Sequence, residues 1–173
     1  MNFQIEQAVE ILSRTPVVLN SLLGNLSGDW TMNKETGDGW SPFDVVGHFI
    51  HGEETDWIPR AEIILAQGEN PIFEPFDRFA QFERSKGKTL SELLETFAVL
   101  RGRNIEILRR LNITPDRLRL QGIHPELGEV NLEQLLATWV VHDLTHIRQI
   151  VTALAHKYAE NVGAWKEYLS ILK

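Results

Sequence analysis

Residues 131–156 read NLEQLLATWVVHDLTHIRQIVTALAH, a stretch whose pattern decides the fold. Its apolar residues at helical spacing form one stripe, made of Leu135, Trp139, Ile150 and Ala153. A stripe of this kind is typical of a helix that buries one face against a core. Asn131 can cap the start of the helix, and Gln134 stands where it would complete a capping box. The sequence therefore predicts one long helix from Asn131 to about His156.

Earlier segments of the chain show the same periodicity. The predicted helices cover residues 4–23, 41–67 and 89–111, and a short C-terminal helix covers 164–172. Ser41 and Thr89 begin capping boxes, whereas Pro16 and Pro59 predict kinks because proline has no N–H to donate. Four long helices, three of them with capped starts, predict an all-α fold, an up-down-type four-helix bundle with a short extra C-terminal helix. We expect a single domain over residues 1–173.

The two longest connections carry weaker signals. Four phenylalanines follow one another at a spacing of three: Phe73, Phe76, Phe79 and Phe82. This spacing predicts a short helical turn with the rings on one side, in a loop that packs into the core or in a lid that faces a ligand. Residues 117–120 alternate Arg and Leu, which predicts a short extended piece, and no other strand is expected.

Composition excludes several classes of protein. The 173 residues contain no cysteine, which excludes a disulfide framework, a cysteine-ligated metal site and a cysteine nucleophile. The formal net charge of -7 disfavours binding to nucleic acid. No apolar run approaches the ~18 residues of a membrane span, and the N-terminus lacks the basic start of a signal peptide. We expect a cytoplasmic protein with no nucleic-acid or membrane partner.

Histidines lie on the buried faces of two predicted helices. His142 and His146 are four residues apart on the apolar stripe, so both rings point into the bundle. His48 lies on the second helix and supplies a third imidazole, with His51 three residues further on near the same face. Three neutral imidazoles from two helices, with open positions for water, are typical of a catalytic divalent-metal site. The alternative is a set of core histidines satisfied by hydrogen bonds.

Other residues near these histidines have more than one possible role. Asp44 could orient His48 or serve only the helix cap, and His51 and Trp139 are further candidates for lining the pocket or supporting a ligand. His124 and His156 read as surface residues. The sequence does not identify a catalytic residue, and four carboxylates are candidates for a general base: Asp44, Glu53, Glu54 and Asp143. The string His-Asp-x-x-His differs from the zinc-protease motif by its shorter acid and lacks a downstream ligand pattern, so a protease is disfavoured.

Three motifs in order carry a family resemblance. They are Trp40-Ser41-Pro42, Val46-Gly47-His48-Phe49-Ile50 and His142-Asp143-Leu144-Thr145-His146-Ile147-Arg148-Gln149-Ile150. Over residues 4–156 the chain resembles the DinB-like, or YfiT-like, metalloenzyme superfamily. The resemblance implies a four-helix bundle with a divalent metal, zinc or nickel, held by His48, His142 and His146.

The resemblance also implies a class of reaction. Characterised relatives include S-transferases and isomerases that use a low-molecular-weight thiol, so the chain is expected to transfer such a thiol to a small electrophile. Because the chain has no cysteine, the sulfur would come from a cosubstrate. The alternatives are a metal-dependent hydrolase and a non-catalytic bundle that binds a small ligand.

The C-terminus predicts self-association. Its short helix is crowded with the apolar residues Trp165, Tyr168, Leu169, Ile171 and Leu172. Such a surface could cover the end of its own bundle or join a homodimer, and we expect the homodimer.

Overall fold

The computed structural model describes residues 3–35, 37 and 39–173. The helices of this part of the chain are α1 (Ile5–Leu12), α2 (Thr15–Leu23), α3 (Gly28–Thr31), α4 (Pro42–Thr55), α5 (Trp57–Ala66), α6 (Ala80–Ser85), α7 (Leu90–Arg110) and α8 (Leu132–His156). Strands β1 (Gln121–His124) and β2 (Gly128–Asn131) form an antiparallel hairpin. Short 3₁₀ helices cover Arg117–Arg119, Gly163–Tyr168 and Ser170–Leu172. The helical fold confirms the predicted all-α class.

Four long units form the bundle: α1 with α2, α4 with α5, α7, and α8. The first unit packs against α7 and α8, and so does the second unit. The first and second units therefore lie across a diagonal from each other, as do α7 and α8. Such an arrangement needs long connections, and the chain supplies them in residues 24–41 and 111–131.

Both prolines break their helices, as predicted. Pro16 is the second residue of α2, and the break lies just before it. Because Pro16 has no N–H, the Leu12 carbonyl has no helical donor, and it accepts a hydrogen bond from Arg101 Nη1 at 3.0 Å instead. The second break falls at Asp56, three residues before Pro59. The first break thus frees the Leu12 carbonyl to bond Arg101, and the second places Asp56 between two helices.

Capping boxes begin α4, α7 and α8, the three helices for which the sequence predicts them. In α4, Ser41 N–H donates to Asp44 Oδ2 at 2.9 Å and Asp44 N–H donates to Ser41 Oγ at 3.2 Å. The same reciprocal bonds begin α7 at Thr89 and α8 at Asn131. These starts are therefore fixed by local sequence.

The core consists of two apolar clusters. One joins α1 and α5 to the C-terminal half of α7 and the N-terminal half of α8, around Trp57 and Trp139. The other joins α2 and α4 to the opposite halves of α7 and α8, around Phe49 and Phe97. None of the described helices combines the length and the apolar character needed to cross a membrane.

The connections differ from prediction in three ways. Arg117–Arg119 forms a 3₁₀ helix, not an extended piece, and the strand pair follows it. The hairpin was missed because each strand has only four residues, too few for a periodic pattern, and its turn depends on Gly128 at φ +74°. The four phenylalanines do not share a side, since Phe73 is buried whereas Phe79 is 63% exposed.

The C-terminal segment forms two 3₁₀ helices and not the single short helix predicted for residues 164–172. The 3₁₀ helices bury Leu172 and leave Trp165 and Tyr168 73% and 81% exposed. The exposed rings show that this segment does not bury its aromatic residues against its own bundle. The homodimer stays a prediction, which light scattering would test.

Candidate metal centre

Three histidines from two helices converge at one point. His48 comes from α4, and His142 and His146 come from α8; each offers a ring nitrogen within 4.8 Å of the other two. The Nε2 atoms of His48 and His142 are 3.0 Å apart. Two imidazole nitrogens bound to one zinc ion at tetrahedral geometry lie about 3.3 Å apart. The spacing therefore fits three ligands to a single ion.

Two glutamines orient two of these rings. Gln81 Oε1 lies 3.0 Å from His48 Nδ1, and Gln149 Oε1 lies 2.7 Å from His146 Nδ1. Because a side-chain amide oxygen only accepts, each Nδ1 carries the proton and each Nε2 keeps its lone pair. This is the tautomer that a metal ligand requires.

Of the two roles considered for Asp44, the structure shows the helix cap, and Gln81 orients His48 instead. Asp44 Oδ2 is occupied by the backbone and hydroxyl of Ser41, so the structure places this residue in the cap. Gln149 follows His146 by three residues, a helical spacing that could have identified it. Gln81 lies 33 residues from His48 and reaches it on α6, which no local pattern predicts.

A glycine allows α6 to approach. A Cβ atom on Gly47 would meet the Ser85 hydroxyl inside van der Waals contact. The α6 helix therefore packs closely against α4 and brings Gln81 to His48.

Burial keeps the three imidazoles neutral. Desolvation, together with the charge of the neighbouring His146, lowers the pKa of His48 to about 3 and that of His142 to about 2. Desolvation also lowers the pKa of His146. A neutral imidazole is the form that binds a metal. The Nδ1 of His142 is buried and has no hydrogen-bond partner among the described residues.

The histidines open onto a cavity of about 660 Å³. Trp40 stacks on His146 with ring centroids 6.2 Å apart, and Phe76 meets His48 edge-on at 5.5 Å. The other lining residues are Gly39, Asp56, Arg60, Pro75, Arg78, His124, Pro125, Glu126 and Gln149. His124 was expected at the surface, but the hairpin brings it into this lining. His156 instead bonds the Thr152 carbonyl near the end of α8.

Two other candidates lie outside this lining. His51 is buried, and its ring lies 4.7 Å from that of Phe76. Trp139 is fully buried and stacks on Trp57, whose ring contacts His142 at 5.0 Å. Trp139 thus supports the site from within the core.

A buried charge cluster lies between the two apolar clusters. Arg101 is 1% exposed, and all five of its N–H groups are used, on Glu53, Asp143 and the Leu12 carbonyl. Trp139 Nε1 donates to Glu53 Oε1 at 3.2 Å, and Thr15 Oγ1 donates to Asp143 Oδ2 at 2.5 Å. The cluster links α2, α4, α7 and α8 beneath the histidines. No single-helix pattern revealed it.

These bonds leave none of the four candidate general bases in the cavity lining. Glu53 and Asp143 are held by Arg101, Asp44 caps α4, and Glu54 pairs with Arg84 at the surface. A different, half-buried carboxylate lines the cavity, that of Asp56.

Asp56 owes its position to the break between α4 and α5. It forms a salt bridge of 2.8 Å with Arg60, one turn further on. Desolvation raises the pKa of Asp56 to about 6, although the Arg60 charge opposes the shift. Near neutral pH such a carboxylate can take up and release a proton.

We expect Gln81→Leu to weaken zinc binding roughly 10- to 100-fold, because His48 loses the acceptor that fixes its tautomer. Gln81→Glu keeps an acceptor at the same point and should bind zinc at least as tightly as the wild type. Competition with a chromogenic chelator measures both affinities. Equal zinc affinity in Gln81→Leu and the wild type would contradict the orienting role.

Known proteins share this fold. The chain matches the solved structure of YfiT from Bacillus subtilis with a TM-score of 0.74 and 24% identity, over 87% of this chain and 85% of that one. YfiT is a probable metal-dependent hydrolase with an unusual four-helix bundle topology. No curated protein matches the chain. Residues 11–150, which include all three histidines, match the family model of the DinB superfamily. With its helical bundle and its three converging histidines, the chain belongs to the DinB superfamily.

Proposed function

We propose that the chain is a divalent-metal-dependent hydrolase of a small molecule, with His48, His142 and His146 as the metal ligands. The observation that carries the proposal is the set of three converging imidazoles, of which His48 is buried and His142 and His146 are half-buried. Glutamines hold His48 and His146 through Nδ1, which leaves the lone pair of each Nε2 for a metal. The likeness to YfiT, a probable metal-dependent hydrolase, supports the same class of reaction. Zinc and nickel are the proposed ions.

The residues of the chain have distinct tasks in this proposal. A divalent ion with an open coordination position lowers the pKa of a bound nucleophile and polarises an electrophile. Asp56 accepts the proton that the nucleophile releases, since it is a half-buried carboxylate that lines the cavity. Trp40 and Phe76 lie against the histidine rings and keep bulk water from them.

Thiol transfer is the second candidate. The cavity of about 660 Å³ has room for a small electrophile together with a second molecule. Because the chain has no cysteine, the sulfur nucleophile would be a low-molecular-weight cosubstrate. The same proton acceptor, Asp56, would serve a thiol.

A panel of esters, amides and other small electrophiles, assayed with zinc- and nickel-loaded protein, separates the candidates. Turnover with water alone supports the hydrolase, and turnover that requires glutathione or another added thiol supports the transferase. Either activity should disappear in His48→Ala. Tight binding of an unreacted ligand without turnover in any series would contradict an enzyme and indicate a binding module.

We expect Asp56→Asn to lower kcat/KM by about 100-fold or more, because the cavity loses its proton acceptor. In the wild type, kcat/KM should fall as the pH drops below about 6, where Asp56 becomes protonated. Glu126→Gln removes the other, exposed carboxylate of the cavity and should leave the pH profile unchanged. A wild-type profile that is flat through pH 6 would contradict this role.

Asp56→Asn should lower activity, but it should raise the stability of the fold. The pKa of Asp56 is raised in the folded chain, so its protonated form stabilises the fold at low pH and this contribution is lost as the pH rises through about 6. The shift corresponds to about 3 kcal/mol. We therefore expect Asp56→Asn to gain stability over the wild type between pH 4 and 7, as measured by urea unfolding at each pH.

A further inference from the structure

We infer that the substrate carries an oxyanion, a carboxylate or a phosphate, which binds to Arg60, Arg78 and the Nε2–H of His124 in the cavity of the three histidines. The inference rests on the proposed function, since it names the class of substrate for that site. It is carried by cavity-lining N–H groups of Arg60, Arg78 and His124 that have no hydrogen-bond partner among the described residues.

Arg60 is the most constrained of these donors. It is 7% exposed, and its Nη2 forms a salt bridge of 2.8 Å with Asp56 Oδ1 and donates a hydrogen bond of 3.4 Å to the Glu74 carbonyl. Its guanidinium also lies over the Phe73 ring, 5.2 Å from the centroid. No hydrogen bond joins its Nε or Nη1 to any described residue. A buried, fixed guanidinium with free N–H groups facing a cavity is suited to bind an oxyanion.

His124 presents a donor of fixed tautomer. Its Nδ1 accepts hydrogen bonds from the backbone N–H groups of Glu126 at 3.1 Å and Leu127 at 3.2 Å. Because Nδ1 accepts, the neutral ring carries its proton on Nε2. The hairpin turn thus orients His124 as a hydrogen-bond donor in the cavity lining.

Arg78 supplies a second guanidinium from the segment between α5 and α6. Its charge lies close enough to His48 to lower the pKa of that ring. Its guanidinium lies 5.8 Å from the centroid of the Phe79 ring, and it forms no salt bridge within the described part of the chain. An oxyanion on Arg60 and Arg78 would therefore lie in the same cavity as an electrophile at the histidines.

The charge balance of the cavity also favours an anion. Among the described lining residues, Arg60 and Arg78 balance Asp56 and the exposed Glu126, so a divalent ion on three neutral imidazoles would leave this part of the lining positive. The chain as a whole has a net charge of -7. A positive cavity in a negative protein selects anionic over neutral ligands.

Calorimetric titration with benzoate and its neutral analogue benzamide tests the inference on the full chain, both zinc-loaded and treated with chelator. We expect benzoate to bind about tenfold or more tightly than benzamide in both forms. Arg78→Gln should weaken benzoate binding by about tenfold and leave benzamide unchanged. Arg84→Gln, outside the cavity lining, is the matched control and should bind both probes as the wild type does.

Arg60→Lys provides a second variant because it keeps the charge beside Asp56 but loses the planar fork. It should also weaken benzoate binding. Equal affinity for benzoate and benzamide, or unchanged benzoate binding in both Arg78→Gln and Arg60→Lys, would overturn the inference. Benzoate binding that requires zinc would overturn it too, since the anion would then bind only the metal. The titration of chelator-treated protein measures benzoate binding without the metal. Its outcome therefore tests the oxyanion site separately from the proposed metal-dependent hydrolysis.

Discussion

Arg101→Met is expected to lower the free energy of unfolding by about 3–5 kcal/mol. The guanidinium is almost fully buried and neutralises two carboxylates, Glu53 and Asp143, that are themselves 3% and 0% exposed. Methionine fills much of the same space but leaves both carboxylates without their ionic partner. Because a domain of this size is stable by only about 5–15 kcal/mol, the loss is a large part of the total.

Urea unfolding of the metal-free protein measures this loss. Arg103→Met is the matched control, since Arg103 is an exposed arginine on the same helix, and it should change stability by less than about 0.5 kcal/mol. An Arg101→Met protein within about 1 kcal/mol of the wild type would show that the cluster does not hold the four helices together.

His142→Ala is expected to abolish stabilisation of the fold by zinc. A ligand that binds only the folded state stabilises it by about 4 kcal/mol at 1,000 times its Kd, which raises Tm by roughly 10 °C for a chain of this size. With one of three ligands removed, zinc affinity should fall by more than about 100-fold and the rise in Tm should disappear. Thermal unfolding with and without zinc measures the effect.

His51→Asn is the control for this experiment. His51 is buried close to the site but is not one of the three converging residues. Its substitution should lower Tm in the absence of zinc because the side chain is buried, yet the rise in Tm on adding zinc should remain. A zinc-dependent rise in His142→Ala equal to that of the wild type would contradict the ligand assignment.

The long helices and the convergent histidines could be predicted because their signals are local. The capping box at Asn131 and the stripe through Trp139 fix the start and the buried face of α8, so His142 and His146 must point inward. His48 follows from the capped start of α4 in the same way. In each case a few neighbouring residues determine the orientation of the side chain.

The rest of the site depends on contacts between distant segments. Gln81 reaches His48 only because α6 packs against Gly47, and His124 enters the cavity only because a four-residue strand pairs with another. Asp56 lies at a break that Pro59 causes three residues later. A sequence pattern shows that such residues are polar, but it does not show which of them the tertiary fold brings together.

The buried charge cluster was missed for a related reason. Glu53 and Asp143 looked like candidate general bases because they are near the histidines in sequence. Their partner Arg101 is 48 residues from the first and 42 from the second. The pairing removes both carboxylates from the cavity lining, where Asp56 is the proposed proton acceptor.

The metal content of the protein, purified without chelator and without a histidine tag, tests the central claim most directly. Elemental analysis of the wild type should find one divalent ion per chain, and the same analysis of His146→Ala should find none, because two imidazoles do not retain the ion through purification. Full occupancy in His146→Ala, or no ion in wild-type protein that has been incubated with zinc and nickel, would contradict the three-histidine metal centre.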